Sequence, residues 1–270
     1  MIRFSKYLWL YALISGLVLV PGVYSLARYG LKQSIDFTGG ALLEVSYDTP
    51  PESAIVAAAT KTNTNSYIFR MKTDESAVLA TQGATILRSE TVGPVLGSEL
   101  LVKSIVAAVI AIVGILLYVA YAFKNIKFGL SAIVALIHDL LVVLGVFSLL
   151  GVLWGVEVDT LFVTAFLTTM SFSVHDTIVV FDRIREYRRR DEKTPFDELA
   201  DAALTETMGR SLTNSFTIVF MLLALILMGG ESIKWFVVAL LVGTISGTYS
   251  SPFVATPILI LWDRWEKKKK

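Results

Sequence analysis

The chain has no cysteine, so it can form no disulfide, thiolate metal site or thiol nucleophile. Its 2 histidines, His138 and His175, have no metal-ligand partner at a useful spacing. No GxxxxGK(S/T) or GxGxxG stretch occurs, which leaves nucleotide phosphates without a cradle. Charge is scarce as well: 17% of the 270 residues are charged against 54% hydrophobic, and the mean hydropathy is +0.66. Soluble domains rarely combine such values. No cofactor, metal or enzyme chemistry is expected. Any work has to draw on the membrane potential or a pH gradient, where one charge crossing 100 mV releases about 2.3 kcal/mol.

What the chain has instead is long uncharged runs. Six can cross about 30 Å of hydrocarbon at about 1.5 Å per residue. They are Tyr7–Ala27, Ser104–Phe123, Phe128–Val156, Thr160–Phe181, Ser211–Gly230 and Trp235–Trp262. His138 and Asp139 interrupt the third, and His175 and Asp176 the fourth. Pro252 and Pro257 are expected to kink the sixth. The first run has the Arg3 and Lys6 of a secretory signal and a small-x-small Ser25-Leu26-Ala27. Its apolar part is longer than a usual signal core, so it reads as an uncleaved span.

Basic residues follow the positive-inside pattern of a multi-pass membrane protein. Arg3 and Lys6 precede the first span, and Lys124 and Lys127 separate the second from the third. Arg183, Arg185, Arg188, Arg189, Arg190, Lys193 and Arg210 lie between the fourth and fifth, and Arg264 and Lys267–Lys270 follow the sixth. The alternate short loops are poor in Lys and Arg, so both termini are expected on the cytoplasmic side. The lysine tail reads as a topology anchor near anionic membrane lipid, not as a nucleic-acid site.

The expected division is 1–28 for the N-terminus and first span, 29–101 for an external domain and 102–181 for spans two to four. A cytoplasmic loop with an amphipathic helix takes 182–210, spans five and six 211–262, and a basic tail 263–270. In the external domain, Leu43, Val45 and Tyr47 alternate onto one face, as do Tyr67, Phe69 and Met71, and ATILRSETV gives a third strand. Helices are expected over Glu52–Thr62 and Ser76–Ala80. The order β-α-β-α-β predicts a small α+β, ferredoxin-like sandwich. On the cytoplasmic side, TPFDELADAALTETM reads as a connecting helix at the membrane surface, capped at Thr194, with Phe196, Leu199, Ala203 and Leu204 on one face.

An ionised Asp in hydrocarbon costs about 3 kcal/mol even on permissive scales, so Asp176 needs a reason. On a helix, Ala165, Thr169, Ser173 and Asp176 share a face. Arg210, Thr213 or Asn214, and Thr217 align in the fifth span, and Ser131, Ala135, His138 and Asp139 in the third. Gly243 and Gly247 form a GxxxG pair, with Ser246 and Ser250 near that face. Two readings of Asp176 follow. It pairs statically with Arg210, or it gains a proton from one side and loses it to the other. Asp139 and His138 admit the same choice. Asp182 reads as a solvated charge.

Seven stretches, in order, resemble the SecF family of protein-export membrane proteins: SIDFTGG (Ser34–Gly40), TVGPVLGSEL (Thr91–Leu100), LIHD (Leu136–Asp139), SVHDTIVVFDRIRE (Ser173–Glu186), GRSLTNS (Gly209–Ser215), GGES at 229–232 and GTYSSPF at 247–253. Asp36, Phe37, Thr38, Gly39, Gly40, Gly93, Pro94 and Gly97 fall within the first two. The resemblance implies a six-helix transmembrane bundle of the RND type and a six-span SecD partner. It also implies proton-driven assistance, in the bacterial plasma membrane, to the SecYEG channel, its accessory subunits and an unfolded preprotein. It assigns proton passage to Asp176 and Arg210. His175 stands where the family carries Asn. Asp139 and His138 would support that pair, and Thr169, Ser173, Asn214 and Thr217 would line the path. A non-conducting translocon subunit, or half of an RND small-molecule or lipid exporter, are the alternatives.

Overall fold

The computed structural model describes residues 3–47, 59–61, 65–71, 84–123 and 125–269. Its helices are α1 (Leu8–Tyr29), the one-turn α2 (Ile35–Thr38), α3 (Pro94–Ala122), α4 (Ile126–Trp154), α5 (Thr160–Arg190), α6 (Phe196–Met228), α7 (Glu231–Ser250) and α8 (Thr256–Lys269). A π-helical segment, Ser251–Ala255, joins the last two. Among the described residues, α1, α3, α4, α5, α6 and the α7–α8 stretch are each long and apolar enough to cross a membrane. The chain divides into two compact units. One comprises Met1–Lys32, Ala108–Val156 and Leu161–Lys270, and the other Gln33–Ala107 and Glu157–Thr160.

In the helical unit, local chemistry sets the ends of α4. The Asn125 side chain accepts the Lys127 N–H at 3.0 Å, and Gly155 closes the helix in the left-handed region at φ 69°. α1 crosses α4 where Gly22 meets Gly145. A Cβ on Gly145 would lie 2.8 Å from the Gly22 Cα, so neither position has room for a side chain. One turn further, the Ser25 and Ser148 hydroxyls are 2.8 Å apart, and Ser148 donates to the Gly30 carbonyl at 2.7 Å. Hydroxyls so placed satisfy one another where no water can.

Two expectations are corrected here. The segment expected as a separate surface helix is the first part of α6, which runs unbroken from Phe196 to Met228. It contains no proline, and Gly209 alone does not break a helix. Its N-cap is Pro195, not Thr194. Phe196, Leu199, Ala203 and Leu204 are buried as expected. Asp201 is buried beside them and accepts the Ser5 N–H at 2.9 Å and the Ser5 hydroxyl at 2.7 Å. In the sixth span Pro252 falls inside the π-helical segment. Pro257 follows it directly, as the second residue of α8.

The second unit is built on an antiparallel sheet of β1 (Gly40–Tyr47), β2 (Thr60–Lys61), β3 (Ser66–Met71) and β4 (Ala84–Val92), in the order β2-β3-β1-β4. Leu43 faces Phe69 and Val45 faces Tyr67 across β1–β3. The β1–β4 register shifts at Glu44/Val45, a bulge. Leu43, Val45, Tyr47, Phe69 and Ala84 form the core. Most of the helix expected over Glu52–Thr62, and all of Ser76–Ala80, lie outside the described residues. Thr60–Lys61, at the end of the first, is strand. The fold is thus that of a polytopic α-helical membrane protein with a small α+β domain between its first two spans.

Candidate functional site

The first two sequence motifs meet each other. Gly39 adopts φ 72°, and a Cβ there would lie 2.7 Å from the Pro94 Cα; one on Gly97 would lie 2.9 Å from the Gly39 nitrogen and 3.1 Å from the Phe37 carbonyl oxygen. Gly40 (φ 127°) presses on the Met71 carbonyl oxygen in the same way. Phe37 is buried. The Thr38 hydroxyl donates to the Ser34 carbonyl at 3.0 Å, and Asp36 accepts the Thr160 N–H at 3.1 Å and its hydroxyl at 2.9 Å. Gly93 has open space around its Cα. Apart from Gly93, these residues fix backbone geometry.

The polar groups of the spans form two separate places. In the first, Asp139 of α4 is 5% exposed and accepts hydrogen bonds from Ser173 of α5 (2.5 Å) and from Ser246 (2.5 Å) and Ser250 (2.6 Å) of α7. His138 Nδ1 lies 3.1 Å from its other flank. Four donors saturate the carboxylate. The GxxxG pair of α7 makes this possible. A Cβ on Gly243 would strike the Thr169 side chain at 2.4 Å, and one on Gly247 would meet Ser173 at 3.1 Å, so α7 can approach α5 only without side chains there. Thr169, also buried, returns its hydroxyl to the Phe166 carbonyl at 2.9 Å. One step beyond, Thr177 and Ser251 share a hydrogen bond of 2.9 Å.

In the second place, Asp176 of α5 is half-buried and accepts a hydrogen bond from Ser211 of α6 at 2.7 Å. It lines a cleft of about 570 Å³ with His175, Arg210, Asn214 and Thr217. Arg210 is near enough to act on the carboxylate through its charge, but among the described residues the two make no ion pair. His175, Arg210, Asn214 and Thr217 are all exposed at the surface of the chain. The expected lining therefore separates: Asn214 and Thr217 stand beside Asp176, whereas Thr169 and Ser173 are packed under α7 with Asp139. Ser211 and the hydroxyls on Asp139 are the partners that sequence reading did not assign. The signal for Ser211 was its position beside Arg210.

Comparison with known proteins agrees with this architecture. Residues 73–265 match the family model described as "Protein export membrane protein SecD/SecF, C-terminal", and residues 24–51 match the "SecD/SecF GG Motif". The protein translocase subunit SecF of Thermobaculum terrenum is 39% identical, covering 94% of this chain and 92% of its own length. That of Anaerolinea thermophila is 38% identical, covering 96% and 93%. The crystal structure of SecDF from Thermus thermophilus, a translocon-associated membrane protein, superposes with a TM-score of 0.85 at 29% identity over 97% of this chain. This chain spans 39% of the length of that one. The chain belongs to the SecF family of protein translocase subunits.

Proposed function

We propose that this chain works with a SecD partner in the bacterial plasma membrane, both termini cytoplasmic, and uses proton movement to assist preprotein export through SecYEG and its accessory subunits. Asp176 carries the proton and Arg210 is its charge partner. The observation that supports this most is the polar cleft at the surface between α5 and α6. Polar and ionisable side chains at membrane depth require protein or water around them, not lipid. A partner chain covering the cleft would supply both, and would leave Asp176, with its one hydroxyl donor, free to exchange a proton.

Asp139 supports a different role. A carboxylate on α4 held by one serine of α5 and two of α7 is an anchor, which keeps the three helices in register. The alternative of a non-conducting subunit calls for a static Asp176–Arg210 ion pair, which the two do not make among the described residues. The test uses inverted membrane vesicles carrying the chain with its partner, as wild type and as Asp176→Asn. Loss of both proton flux and late preprotein translocation, with assembly intact, supports the relay. Unchanged flux and translocation would sink it and leave a scaffold.

A further inference from the structure

The helical unit has a second cleft, of about 310 Å³, where α4 begins, α5 ends and α6 begins, against the first turns of α8. Its floor is apolar: Phe128, Phe196 and Leu259 are 8%, 5% and 1% exposed. Arg185, Arg188 and Arg189 approach it from successive turns of α5, and Lys127 from α4.

Several of the basic groups around it are matched by carboxylates. Arg183 pairs with Glu186 and Glu206, Arg190 with Glu186, Arg264 with Asp197, and Lys127 with Glu266. Arg185 lies 3.2 Å from Asp182. Asp263, the acid on the wall of the cleft, is engaged by Lys267 at 2.8 Å. Among the described residues Arg188 and Arg189 have no carboxylate partner, and Arg188 lies over the Phe196 ring at 6.0 Å. Basic residues at a helix C-terminus offset the helix dipole, but that role requires neither an apolar floor nor a lysine from another helix.

We propose that this cleft binds the headgroup of one anionic phospholipid, its phosphate held by Arg188 and Arg189. Guanidinium groups bind phosphate oxygens through paired N–H donors, and basic pockets between spans at the membrane border suit anionic headgroups. The site stands apart from Asp176 and does not depend on proton coupling.

Native mass spectrometry of the purified full chain tests this, with phosphatidylglycerol or phosphatidylcholine added at equal concentration. The wild type is expected to retain one phosphatidylglycerol in preference to phosphatidylcholine. R188Q/R189Q is expected to lose that preference by on the order of twenty- to thirtyfold, since each basic residue near an anionic headgroup contributes about a factor of five. R188K/R189K, which keeps the charge and controls for folding, is expected to hold an intermediate share. K268Q/K269Q, which leaves the Lys267–Asp263 pair in place, is expected to behave as wild type. Retention unchanged in R188Q/R189Q overturns the proposal. So does an equal loss in the tail variant, which would mean diffuse attraction. If inorganic phosphate at the same concentration displaces the lipid, the site is a free-phosphate site and the lipid assignment fails.

Discussion

Gly243 of α7 lies against Thr169 of α5 with no room for a methyl group between them: a Cβ on the glycine falls 2.4 Å from both carbons of the threonine side chain. Gly243→Ala is therefore expected to destabilise the helical unit by about 1–3 kcal/mol, the usual cost of overpacking. Gly247→Ala, whose methyl would meet Ser173 at 3.1 Å, is expected to cost less. Gly114→Ala, with open space around it, is the control. Thermal unfolding of the purified variants reads the order, and equal midpoints for all three would refute the close crossing.

Asp139 and its serines give a second expectation. Asp139→Leu strands three buried hydroxyl donors, each costing about 1–3 kcal/mol if no other acceptor is found. Asp139→Asn keeps one acceptor oxygen and is expected to be milder. The recovery of monodisperse protein, variant by variant, checks this. An Asp139→Leu chain as stable as wild type would show that the carboxylate is not an anchor.

Ser211 donates the hydrogen bond that holds Asp176. Ser211→Ala is expected to lower proton flux in vesicles by less than Asp176→Asn does, while leaving assembly with the partner unchanged. Ser173→Ala, at the Asp139 place, is expected to act the other way, on stability before flux. If the two serine variants behave alike, the two polar places are one.

The connection between α5 and α6 should respond to acid. The Thr194 hydroxyl, and then the Thr194 and Lys193 N–H groups, donate to Asp191 and hold its carboxyl below the usual carboxylate range. A depressed value in the folded chain means that the carboxylate's contribution is present above the ordinary carboxylate pKa. It is lost as pH falls through the lowered value. Amide exchange at Lys193 and Thr194 is expected to lose protection in that acid window, and Asp191→Asn to remove the dependence. Protection that is flat with pH would contradict the cap.

The sequence by itself determined the spans and their order. A run of about twenty apolar residues has one economical solution in a bilayer, because a helix satisfies every backbone group within the segment. It also marked the GxxxG pair of α7, the alternation of β1 and the ionisable residues at His138–Asp139 and His175–Asp176. What it left open was which groups meet. Thr169, Ser173 and Asp176 lie on one helical stripe, yet the stripe meets Gly243 and Gly247 of α7 at one depth and Ser211 of α6 at another. Crossing helices change neighbours along their length, and a period of 3.6 carries no record of where they cross. The tertiary structure alone decided that Asp139 is enclosed by serines and Asp176 opens onto a cleft, and that the amphipathic stretch after Pro195 continues straight into the fifth span.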